Sequence, residues 1–124
     1  MEQESFFAFI QQLEGYKVKF RELHWNTSLL SEHKLCDAIM GEITENQDKI
    51  AESCFPIFGK FETNSFNATP VFGTTVIECL ENLLNDVMEL KLLLDGDVNF
   101  CNVDARIDTF IESIKIWQNL TTYK

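Results

Sequence analysis

No run of roughly eighteen apolar residues occurs in the chain, so no membrane-spanning helix is expected. Met1 to Phe9 carry two glutamates and no lysine or arginine, which does not resemble a signal peptide. There is no CxxC pair and no cysteine–histidine cluster, which excludes the common structural zinc sites. The four cysteines, Cys36, Cys54, Cys79 and Cys101, stand singly within periodic segments. That pattern predicts reduced, buried core thiols in an intracellular, cytoplasmic protein. Bases are scarce: ten Lys and Arg against twenty Asp and Glu leave a net charge of −10. Such a chain repels nucleic acid and anionic membranes and attracts cations, although solubility alone would also account for the charge. There is no Ser/His/Asp triad, no glycine-rich phosphate loop and no basic surface interleaved with aromatics. No stretch alternates as a strand, and nothing repeats.

What is there reads as helix. At 124 residues the chain has the length of a single domain (1–124), able to bury roughly two thirds of its unfolded surface. Phe6, Phe9/Ile10, Leu13, Tyr16/Val18, Phe20 and Leu23 recur at helical spacing and predict a helix over 4–27. Gly15 interrupts it at a cost of up to about 1 kcal/mol against alanine, which implies close packing by a neighbour. A second helix is expected over 31–56, starting at Ser31 with Glu32 where the helix dipole favours an acid. Its apolar stripe is broken by Asn46, Gln47 and Asp48, and Pro56 should stop or kink it near Phe55. A helix this long with a polar middle implies a second face engaged by a partner or a site. Residues 57–74 hold four phenylalanines, too many for a free linker, and read as an ordered crossover.

Thr75 and Glu78 form a capping box that opens a third helix over 75–95. Asp95-Gly96-Asp97 ends it, with Gly96 suited to a left-handed conformation. Ile107, Phe110/Ile111, Ile114, Trp117 and Leu120 predict a fourth helix over 103–122. Two short turns and one long crossover give an all-α, four-helix bundle, up-down-down-up, with the crossover between the second and third helices.

The stretch from His24 to Glu52 organises the rest. At about 100° per residue, Asp37 lies about 40°, Asp48 about 60° and Glu52 about 100° from His33, so all four share one side of a helix. With His24, at the end of the first helix, they make a nitrogen and oxygen donor set suited to Fe(II), Mn(II) or Zn(II). Asp37 and Asp48 sit roughly 16 Å apart along the axis. A metal bond of about 2 Å cannot bridge that. Either there are two unrelated sites, or the helix lies antiparallel against its own copy across a two-fold axis. In the second arrangement, the better of the two, each pair of chains builds two equal sites from His33/Asp37 of one subunit and Asp48/Glu52 of the other.

His24-Trp25-Asn26, then His33 and Asp37, then Asp48-x-x-Ala51-Glu52, resemble the Dps family of mini-ferritins, which oxidise and store iron inside a hollow shell. The resemblance implies a ferritin-like bundle and a two-iron ferroxidase centre at a two-fold interface. His24, His33 and Asp37 would be ligands from one chain and Asp48 and Glu52 from its neighbour. Trp25 would lie beside the centre as an aromatic able to quench radicals, although Trp25 and Trp117 are most simply packing anchors. The partner would be a second copy, at least as a dimer and up to a twelve-subunit shell. Direct DNA binding is not expected of a chain with charge −10 and no basic tail. The Glu-x-x-His pairs of larger ferritin-like di-iron proteins are absent, which argues against an oxygenase or reductase centre inside one bundle.

The expected function is Fe(II) oxidation with peroxide or oxygen, protecting against oxidative damage. The competing class is a non-catalytic structural or scaffold protein that keeps the fold without the chemistry.

Overall fold

The structure, a computed structural model, describes residues 1–122. The described residues form four α-helices, α1 (Gln3–Asn26), α2 (Leu30–Phe58), α3 (Val76–Leu94) and α4 (Cys101–Thr122), with a 3-10 turn at Val98–Phe100 and no strand among them. α1 packs chiefly on α2 and also on α3; α4 packs on α3 and on α2. The helices therefore form a four-cornered bundle in which α1 and α4 lie on one diagonal. No described helix is long and apolar enough to cross a membrane.

The core is built from the predicted stripes. Phe6, Leu13, Tyr16 and Phe20 of α1 meet Ile39, Ile43 and Ile50 of α2, Leu80 and Leu83 of α3 and Ile107 and Phe110 of α4, all fully buried. Each such side chain contributes about 1.5–3 kcal/mol relative to exposure. Trp117 is buried with them. α3 starts as its capping residues require: Thr75 Oγ1 accepts from the Glu78 N–H at 3.1 Å. The reciprocal half of the box is rerouted, because the Glu78 carboxylate takes the Thr74 hydroxyl at 3.3 Å. Gly96, with φ of +77°, supplies the left-handed step after α3.

The crossover at residues 59–75 is tied down on α1. The Thr69 N–H donates to the Gln11 carbonyl at 3.0 Å, and the Asn67 N–H to the Gln11 side chain at 2.9 Å. Phe61 stacks on Phe7 with ring centroids 4.2 Å apart, and Phe66 meets Phe61 edge-on at 5.1 Å. Phe72 differs, lying 81% exposed.

Four local expectations are corrected. α2 starts at Leu30 rather than Ser31, and its cap residue Leu29 offers no side-chain bond. The helix also continues past Pro56 to Phe58. Proline there removes one donor in the last turn, while the Gly59 N–H still closes on the Phe55 carbonyl at 2.8 Å. Asn46 and Gln47 do not break the stripe; they occupy it, both 5% exposed. Gln47 Nε2 donates to the Ile10 carbonyl at 3.0 Å and Asn46 Nδ2 to the Glu42 carbonyl at 2.8 Å, so polar side chains stand inside by binding backbone. Lastly, Cys36, Cys54 and Cys79 are buried free thiols, but Cys101 is exposed at the start of α4.

Candidate metal centre

His24 lies in the last turn of α1 and His33 in the first turn of α2. Between them the chain reverses over Thr27–Leu29. The Thr27 N–H stays bonded to the Leu23 carbonyl at 3.0 Å, and Thr27 Oγ1 accepts from the Leu29 N–H at 3.2 Å. This tight turn brings the two imidazoles face to face, with centroids 3.6 Å apart and planes 25° from parallel.

Each ring is fixed by the other residue's backbone. His24 Nδ1 is 3.0 Å from the His33 carbonyl oxygen, and His33 Nδ1 is 2.9 Å from that of His24. A carbonyl can only accept, so both Nδ1 atoms carry hydrogen and donate. In the neutral rings the lone pair then resides on Nε2, the form in which an imidazole binds metal. Asp37 stands one turn beyond His33, with Oδ1 3.1 Å from His24 Nδ1.

Ligand atoms of His24, His33 and Asp37, one from each, lie within 4.8 Å of one another. The imidazoles are half-buried and the carboxylate is exposed, so the cluster is backed by protein and open outward. Two histidines and one carboxylate with open positions form a donor set suited to Fe(II). With one atom from each, these three residues supply half of a six-coordinate shell.

Asp48 and Glu52 are not brought to this cluster within the chain. Both are exposed on α2. Because α2 is continuous, Asp48 lies about 16 Å along the axis from Asp37. The two acids line an open cavity of about 340 Å³ with Glu14 and Lys17 of α1 and Phe61 and Phe66 of the crossover. Glu14 was not singled out from the sequence, where it reads as a surface acid. Its carboxylate takes Lys17 at 2.8 Å and Gln47 Nε2 at 3.2 Å, which ties α1 to α2 beside this second pair of acids. Trp25, next to His24 in the chain, is 71% exposed, and Leu29 and Leu30 are also exposed.

No known protein family, curated protein or solved structure matches the chain.

Proposed function

We propose that the chain is a Dps-type ferroxidase. In this reading it takes Fe(II) as substrate at a seam between two copies and passes the electrons to peroxide or oxygen. The observation that carries the reading is the imidazole pair, with both Nδ1 atoms engaged by carbonyls and Nε2 left for metal, beside Asp37, one potential ligand atom from each of the three residues lying within 4.8 Å of the others. Such a cluster is half a site. Asp48 and Glu52, stranded on the same helix, are the acids that an antiparallel copy of α2 would bring to it. The corner-sharing order of the helices and the long link at 59–75 support the ferritin-like, up-down-down-up arrangement for this bundle.

In that site the chain's own residues have distinct roles. The reciprocal Nδ1–H bonds hold both rings in one tautomer, so little reorganisation accompanies metal entry. Asp37, with Asp48 and Glu52 of the partner subunit, supplies anionic oxygen that favours the ferric over the ferrous state. Two Fe(II) ions each give one electron, and one peroxide takes both and becomes two hydroxides. The exposed Trp25 beside His24 stands where a stray one-electron oxidant would meet it first. Mn(II) and Zn(II) fit the same donors and would compete. We further assign the partner as a second copy, in a dimer that a twelve-subunit shell would contain, and no role on DNA. The cytoplasm is the compartment this reading implies.

The test is an anaerobic Fe(II) titration followed by peroxide or oxygen, recording ferric absorbance in the near ultraviolet, beside a His33→Ala/Asp37→Ala variant. Saturable binding and a fast ferric signal in the parent, both lost in the variant, are expected. Binding no better than the variant's would leave the scaffold reading.

A further inference from the structure

α2 leaves Asp37, Gly41, Thr44, Asp48 and Glu52 exposed along one side, and the positions on that side are symmetric about one point. His33 and Glu52 are equidistant from the 42–43 peptide, and so are Asp37 and Asp48. The same midpoint relates Gly41 to Thr44. On an ideal helix all these residues fall within about 50° of one direction, turned away from the buried stripe of Ile39, Ile43 and Ile50. On reversal His33 comes opposite Glu52 and Asp37 opposite Asp48, donors that antiparallel pairing about a two-fold axis would bring together.

Gly41 sits beside that midpoint, deep in a helix interior, where glycine is the poorest choice but proline. Nothing among the described residues calls for it. The Cβ it lacks would meet no atom within 4 Å, and its backbone is helical with no positive φ. Gly15 is the contrast, since a Cβ there would strike the Thr69 carbonyl. Close approach by another backbone is one physical reason for a glycine at such a place.

We propose that Gly41 is the point of closest approach between α2 and the α2 of a second copy. That approach sets the distance from His33 and Asp37 to Asp48 and Glu52 of the partner subunit. The inference rests on the reading of the site as shared by two chains.

The experiment is sedimentation velocity in chelator at high micromolar concentration on the parent, Gly41→Ala and Gly41→Leu, with circular dichroism and Fe(II) oxidation on each. The parent should be a dimer or a multiple of one. G41L should keep its helicity, fall to at most half the parent's mass and lose fast oxidation. G41A should raise the pair's dissociation constant at least tenfold. A parent that is monomeric, or a helical G41L with the parent's mass, overturns the inference whatever the iron assay gives. Should G41L lose helicity, G41A decides, and an unchanged dissociation constant overturns it. If G41L dissociates but the parent never binds or oxidises Fe(II), the interface stands and the ferroxidase reading falls.

Discussion

At Gly15 the constraint is a backbone carbonyl. An added Cβ would collide with Thr69 O, and Thr69 is itself bonded to α1 through Gln11. The crossover would have to lift, and because the obstacle is backbone the cost lies in the upper part of the overpacking range, about 2–3 kcal/mol, against a helix-propensity gain of about 1 kcal/mol. Gly15→Ala is therefore expected to destabilise the fold by about 1–2 kcal/mol, read as a lowered urea midpoint with an unchanged slope. A midpoint equal to or above the parent's would show that the loop is not seated there. The thiols make a second prediction. Burial pushes Cys36, Cys54 and Cys79 from 9.0 up to about 11. Below about pH 9 both folded and unfolded chains keep these protons, so stability does not depend on them. Between about pH 9 and 11 only the unfolded chain releases them, and stability falls as pH rises. Tyr16 adds to the fall above pH 10.0, because burial and its hydrogen bond to the Asp86 carboxylate raise the phenol. Urea midpoints under reducing conditions from neutral pH upward should be flat and then drop; a flat profile through pH 11 would contradict these burials.

At the scale of elements, periodicity made the helices legible wherever one face was cleanly apolar. α1, α3 and α4 each follow from Phe, Leu and Ile recurring at steps of three and four. α2 was harder, because its stripe runs through Asn46 and Gln47. Whether an amide points inward depends on finding a backbone partner, and Gln47 finds the Ile10 carbonyl only once α1 is packed beside it. Its ends were blurred for related reasons: Leu29 caps without a cap side chain, and Pro56 sits where only one bond is lost. Gly15 and the phenylalanines of 57–74 correctly signalled a packed crossover, but which carbonyl fills the gap is a tertiary fact. By its place in a periodic segment Cys101 reads as a core residue; the 3-10 turn at Val98–Phe100 sets where α4 begins, and Cys101 comes out exposed there. Of the candidate site, the side shared by His33, Asp37, Asp48 and Glu52 was readable from residue numbers. The stacked imidazoles and their exchanged carbonyl bonds were not, because they follow from the path of Thr27–Leu29 rather than from composition.

For the whole molecule, the decisive question is whether a working site needs two chains. One chain gathers His24, His33 and Asp37 but leaves Asp48 and Glu52 on the far part of α2. Two variants separate the possibilities. Asp37→Ala damages the histidine half of every site, and Asp48→Ala damages the acid half. Alone, each should lose fast Fe(II) oxidation. When the two are unfolded together and refolded at equal amounts, half of the pairs formed are mixed. In a mixed pair both lesions fall on one site, and the other site regains every ligand. About a quarter of the parent's sites should therefore return, with the parent's rate at each. Fast oxidation measured on the co-refolded mixture, beside the separately refolded variants pooled afterwards, reads this directly. Recovery only after co-refolding is the signature of a shared site. Two unrelated sites within a chain would instead leave partial activity in each variant alone and add nothing on mixing, so the pattern across the four samples decides between them.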